Sequence, residues 1–132
     1  MMVIDASALV TILFREPEWD RFLGAILAAR GGVISPVNAW ETYIRTAELR
    51  DEAGRPDAER LMARLGIEIT SIDAEQTRIA IEARLRFGSN ILNMGDCFAY
   101  ALAKTHGDGA LLYKGDDFSR TDILSALAAP TA

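Results

Sequence analysis

Asn93-Met-Gly-Asp96-Cys-Phe-Ala-Tyr-Ala-Leu-Ala-Lys104 and, after a short apolar run, Lys114-Gly-Asp-Asp117-Phe-Ser-Arg-Thr-Asp-Ile123 are the stretches on which the reading of this chain turns. In both, acids interrupt apolar residues where one structural element gives way to the next. Asp5 stands the same way at the end of Met2-Val-Ile-Asp5. Carboxylates repeated at the ends of buried elements are a means of holding hard cations.

Working outward, Met2–Asp5 predicts a buried strand that opens into a helix from Ala6 to Phe14. Pro17 begins a second helix, with Trp19, Phe22, Leu23, Ile26 and Leu27 at helical spacing and Gly31-Gly32 as its stop. Val33-Ile34 predicts a second strand. Ser35-Pro36 then forms an N-cap with proline at the first helical position, launching a helix to about Ala53. A helix from Pro56 to Gly66 and a strand at Ile67–Ser71 follow. Asp73 and Gln76 form a capping box for a helix reaching Phe87-Gly88. Gly95-Asp96 opens a helix to His106-Gly107, and Ala110–Tyr113 is a fourth strand. A polar turn over Lys114–Thr121 leads to a last short helix and a frayed Ala-Pro tail. Strands separated by helices make an α/β fold whose mostly parallel sheet is covered on both faces. In such sheets ligands sit at the carboxyl ends of the strands.

The 132 residues suffice for one domain with a real core, and 50% apolar with 25% charged residues is ordinary globular composition. A single cysteine excludes an internal disulfide framework. No run approaches the roughly 20 apolar residues of a membrane span, and the start of the sequence lacks a secretory signal pattern. These features predict a cytoplasmic protein that does not enter the membrane. The net charge of −5 argues against a passive nucleic-acid binder but not against a nuclease that recruits cations, and it suits a basic peptide partner.

Each acid has a local alternative. Asp5 caps the helix that follows it, alone or with Ser7, or holds a metal. Asp96 is the N-cap of the helix carrying Phe98, Tyr100 and Leu102, or a ligand. Glu41 lies in the second turn of the helix capped by Ser35, beside an apolar stripe of Val37, Trp40, Ile44 and Ala47 read as core-facing. There a carboxylate is costly without a partner. The alternative is a capping box of Asn38 with Glu41. Asp116 and Asp117 are turn residues, or one of them is a ligand. Parallel topology brings all of these ends to one edge, where the charges repel unless a cation compensates. Oxygen-only ligands select magnesium or manganese. His106 lies at a helix end, suited to the dipole. Cys97 has no histidine to pair with and is expected to be an inert buried thiol.

The segments Met2-Val-Ile-Asp-Ala-Ser-Ala-Leu9, Gly95-Asp-Cys-Phe-Ala-Tyr-Ala-Leu-Ala103 and Leu111-Leu-Tyr-Lys-Gly-Asp-Asp-Phe-Ser-Arg-Thr-Asp-Ile123 resemble the PIN-domain family, specifically the VapC toxins of bacterial toxin–antitoxin pairs. The resemblance covers essentially the whole chain. It implies a three-layer α/β/α domain over residues 1–132 with a four- to five-stranded sheet. It also implies a Mg2+- or Mn2+-dependent ribonuclease that hydrolyses RNA and is inhibited by a VapB-type antitoxin. By motif, Asp5 and Asp96 are the central metal ligands, Glu41 completes the cluster and Asp116 is the fourth acid, with Asp117 competing for that place. Ser7 orients a ligand or a water. A homodimer, or a higher toxin–antitoxin assembly, is implied in the same way. Two departures stand out: the loop Gly88–Met94 is short and uncharged where such toxins often carry a longer basic one, and bulky Trp40 precedes Glu41.

The expected chemistry is phosphodiester hydrolysis, with Arg15, Arg45, Lys114 and Arg120 as candidate phosphate contacts. Apolar residues of the first two helices (Leu9, Ile12, Leu13, Phe14, Trp19, Phe22) are candidate antitoxin contacts or core. The competing enzyme class is an aspartate-based phosphotransfer or phosphohydrolase domain, which wants a second aspartate where Ser7 stands. A catalytically dead regulatory module is the non-enzymatic alternative.

Overall fold

The computed structural model describes residues 1–127. Two parallel ladders form its centre. In one, β1 (Gly32–Ile34) pairs with β2 (Ile67–Ile69); in the other, β3 (Ala110–Leu111) pairs with β4 (Leu124–Ser125). Val3 and Ile4 join them, bridging in parallel to Val33 on one side and Leu112 on the other. The backbone bonds are regular: Ile4 N–H donates to Val33 O at 3.0 Å, and Asp5 N–H to Leu112 O at 2.9 Å. Every pairing is parallel, so all strand carboxyl ends lie on one edge.

Side chains alternate across a strand, and that alternation builds two cores. Val3, Val33 and Leu111 face a cluster with Ala80 and Ala83 of α5 (Ala74–Phe87) and Ala99, Leu102 and Ala103 of α6 (Met94–His106). Their neighbours Ile4, Ile34 and Leu112 face the opposite cluster. This contains Leu9 and Ile12 of α1 (Ala6–Leu13), Phe22 and Ile26 of α2 (Trp19–Ala29), and Met62 and Leu65 of α4 (Gly54–Leu65). The result is three layers, α/β/α. Each large side chain taken fully out of water contributes about 1.5–3 kcal/mol.

Several local expectations are met. Ser35 caps α3 (Pro36–Arg50), its hydroxyl accepting from Val37 N–H at 3.4 Å, with Pro36 at the first position. Asp73 caps α5 by accepting from Gln76 N–H, but the buried Gln76 amide donates to Ser71 O instead of closing the box. Others are corrected. The predicted last helix is absent among the described residues: a 3-10 turn over Asp117–Arg120 leads into strand β4, which finds unpaired β3 groups beside it. Helix α2 starts at Trp19, after Pro17, and α3 ends at Arg50 before a 3-10 turn at Asp51–Ala53. The third strand is shorter, stopping at Ile69.

The apolar stripe of α3 points the other way from the expectation. Trp40 is 60% exposed and Ile44 38%, while Asn38, Ala39, Thr42 and Thr46 are buried. Thr42 and Thr46 can lie inside because each hydroxyl donates to the carbonyl four residues back. No helix among the described residues is long and apolar enough to cross a membrane.

Candidate active site

Asp5 is fixed by the central pairing that precedes it and lies buried at the start of α1. Its Oδ2 accepts from Ser7 N–H at 3.0 Å and from the Ser7 hydroxyl at 2.5 Å. Capping is therefore realised, by the same carboxylate that faces the other acids. The Ser7 oxygen also accepts from Lys114 N–H at 2.9 Å, which ties the loop after β3 to this corner.

Because Ser35 is the cap of α3, Asn38 and Glu41 form no capping box. Asn38 lies inside the first turn instead, wholly buried, and donates from Nδ2 to Glu41 Oε1 at 2.9 Å and to Gly95 O at 3.0 Å. A longer contact of 3.5 Å reaches Asp5 Oδ1. Asn38 is the site residue that sequence reasoning passed over, considered only as a cap. The available signal was its position three residues before Glu41, which puts both side chains on one helix face.

Asp96 is not the N-cap of α6. Asn93 is, and Asp96 closes a capping box from the third helical position: Asn93 Oδ1 accepts from Asp96 N–H at 2.8 Å, and Asp96 Oδ2 accepts from Asn93 N–H at 3.0 Å. Gly95 lies between them, and a Cβ there would displace the Glu41 carboxylate from its present place. The absence of a side chain at residue 95 lets α3 bring its acid against the start of α6.

Burial and mutual repulsion raise these acids together. The Asp5 carboxyl is pushed above its ordinary value by burial, against the lowering effect of the Ser7 bonds, and Asp117 adds to the rise. Glu41 is raised by burial and then by Asp5, with the Asn38 amide opposing. Asp96 is pushed up to about 7, first by burial, then by Asp5, Asp117 and Glu41, against the Asn93 N–H. Asp117 is thus the neighbour whose charge bears on both Asp5 and Asp96. Asp116 sits one residue ahead of the 3-10 turn, its backbone carbonyl accepting from Ser119.

The donor set is all oxygen and anionic, which suits a hard divalent ion. Among the described residues, no three His, Cys, Asp or Glu side chains are drawn into a ready ligand cage, as unneutralised carboxylates that repel one another should not be. Beside the acids, a groove of about 670 Å3 runs between α1 and α3, lined by Ser7, Val10, Trp40, Glu41, Ile44, Arg45 and Lys114 among others. Of the candidate phosphate contacts, Arg45 and Lys114 reach this groove. Arg15 stacks on Trp19 and lines a different cavity with Arg50 and Asp57, while Arg120 is exposed in the 3-10 turn. Leu9, Ile12 and Phe22 belong to the core and are closed to a partner, whereas Leu13, Phe14 and Trp19 are partly exposed. Cys97 is buried and its thiol is raised chiefly by that burial; His106 occupies the last turn of α6.

These acids meet at the carboxyl edge of a parallel sheet, each from a different element. The PIN domain family matches residues 2–124, and the chain belongs to that family, in its VapC ribonuclease branch. It is 36% identical to Ribonuclease VapC30 of Mycobacterium tuberculosis, over 92% of this chain and 95% of that protein. It is 37% identical to Ribonuclease VapC of Mycolicibacterium smegmatis, over 92% and 97%. In fold it is similar to the crystal structure of Mycobacterium tuberculosis VapC20, a Sarcin-Ricin loop cleaving toxin. The TM-score is 0.72 at 14% identity, covering 90% of this chain and 93% of that one.

Proposed function

We propose that this chain is the toxin of a type II toxin–antitoxin pair, hydrolysing RNA phosphodiester bonds with Mg2+ or Mn2+ held by Asp5, Glu41, Asp96 and Asp117. The observation that carries the reading is the meeting of acids: the Asn38 amide reaches Glu41, Asp5 and Gly95 O beside Asp96, and the charges of Asp5, Glu41 and Asp117 all act to raise the Asp96 carboxyl. Such a cluster is unfavourable on its own and is relieved by a divalent cation. Asp117 takes the place first given to Asp116 because its charge bears on both central acids.

The ion supplies Lewis acidity toward water and neutralises charge on the phosphate. The chain's own residues do the rest. Ser7 orients Asp5 and ties it to the β3 loop through Lys114 N–H. The Asn93–Asp96 capping box holds the Asp96 carboxylate at the mouth of the site. Arg45 and Lys114, beside Glu41 and Ser7 in the groove, are suited to phosphate oxygens. The phosphotransfer alternative is disfavoured because Asp5 is buried and already held by Ser7 rather than open to attack a phosphate.

The partner is a VapB-type antitoxin. An apolar groove wall of Val10, Trp40 and Ile44 beside Glu16, Glu41 and Glu48 suits an amphipathic basic segment. A homodimer, and a larger assembly with antitoxin, complete the proposal and are measured by sedimentation. The test of activity is cleavage of structured RNA by the antitoxin-free chain with Mg2+, Mn2+ or chelator. Cleavage that persists in chelator, or in folded Asp96→Asn, overturns the metal–carboxylate reading.

A further inference from the structure

Three hydrogen-bond acceptors crowd the Asn38 amide nitrogen: Glu41 Oε1 at 2.9 Å, Gly95 O at 3.0 Å and Asp5 Oδ1 at 3.5 Å. Chemistry decides its orientation. Turned over, the amide would press its oxygen against two carboxylates and a carbonyl. Held this way round, Asn38 Oδ1 is left buried without a hydrogen-bond partner. An unpaired buried carbonyl oxygen is costly, and an apolar side chain of the same volume would avoid that cost. The nitrogen's contacts are what sustain it.

Those contacts join three elements. Asp5 opens α1, Glu41 belongs to α3, and Gly95 immediately precedes Asp96 in α6. The donor is also neutral. A lysine or arginine would gather the same oxygens but cancel the charge that attracts a cation; an amide gathers them and leaves the charge in place. We propose that Asn38 is a positioning residue for the acidic site. Its amide holds Asp5, Glu41 and the first turn of α6 in the arrangement that a divalent ion requires. This rests on the metal–carboxylate reading above.

The test is Mn2+ binding to the antitoxin-free chain, followed by calorimetry on samples shown folded by circular dichroism. Asn38→Leu fills the volume and removes the donor, and it should weaken the Mn2+ midpoint by about 10–100-fold. Thr46→Val, on the same buried face but away from the acids, should lower Tm and leave that midpoint unchanged. Wild-type Mn2+ affinity in folded Asn38→Leu overturns the proposal, because a purely structural residue would shift Tm alone. If Asn38→Leu does not fold, Asn38→Ser decides by the same titration. In parallel, hydrogen exchange in the first turn of α6 should quicken in Asn38→Ser, and unchanged exchange with an unchanged midpoint overturns the proposal. Absence of saturable Mn2+ binding by the wild type is a separate outcome: it removes the metal reading itself and this proposal with it.

Discussion

Helices α3 and α6 each bring an acid to the site, yet the faces they bury differ in kind. α6 buries an apolar and small-residue face, including Ala99, Ala101, Leu102 and Ala103. α3 buries Asn38, Thr42 and Thr46, and turns Trp40, Ile44 and Leu49 outward at 60%, 38% and 56% exposure. Packing locates α6. α3 is located both by packing, with Ala39 and Tyr43 against the Ile4 core cluster, and by the Asn38 amide, which reaches Gly95 O and Asp5 on other elements. A helix placed by packing tolerates an acid at its end. On α3 it is Asn38, on the buried face, that meets the Glu41 carboxylate.

The sharpest break in this comparison comes at the acids themselves. Asp96→Asn should cut RNA cleavage by at least about 10²-fold, while the metal-free chain becomes more stable. The sign follows from linkage. The folded Asp96 carboxyl titrates at about 7 against an ordinary 3.8, so the folded state holds the extra proton between those values. The contribution of Asp96 to metal-free stability is then fullest below pH 3.8 and is lost as pH rises through about 7. Thermal melts should show this decline in the wild type and a flatter profile in Asp96→Asn. After allowance for partial exposure, the gain at neutral pH is roughly 2–4 °C. Saturating Mn2+ should remove the difference by raising the wild type alone.

Next in size is Leu102→Ala, which strikes packing directly. It should cost about 2–5 kcal/mol in denaturant unfolding, with Mn2+ affinity preserved wherever the protein is folded. On α3, Thr46→Val removes a hydroxyl that donates to Thr42 O, and about 1 kcal/mol or less is expected. A loss as large as that of Leu102→Ala would mean that the buried hydroxyl bond weighs as much in α3 as packing does in α6. Smallest is Trp40→Ala, within about 0.5 kcal/mol of wild type because the ring is mostly in water. If Trp40 were core, as its spacing suggested, the loss would be about 3–5 kcal/mol.

Trp40 also marks where sequence reading failed. Helical spacing identifies a stripe but not the direction it faces, and Val37, Trp40, Ile44 and Ala47 looked like the inside of α3. The true inside is polar and made habitable by local hydroxyl–carbonyl bonds that a hydropathy pattern does not register. The parallel sheet, the Ser35-Pro36 start and the convergence of Asp5, Glu41 and Asp96 were legible because each rests on local chemistry or on topology. Strand β4 was missed because Leu124–Ser125 is too short to show alternation and exists only by pairing with β3. The tail from residue 128 onward, read as frayed, lies outside the described residues. Asp116 and Asp117 flank the start of a 3-10 turn, and no spacing rule anticipates that turn.

Residues 3 and 4 occupy the middle of the sheet, although one of their partners, Leu112, lies far later in the sequence. Asp5 is anchored to Leu112 O, and Leu112 N–H in turn to Val3 O. On the ribosome, that bond cannot form until Leu112 has been translated. A truncated or stalled product ending before Ala110 has Asp5, Glu41 and Asp96 in its sequence but no central pairing to hold the first of them in place. Such long-range closure also predicts slow folding for a chain of this size. A copy that ends before Leu112 therefore lacks the bond that fixes Asp5.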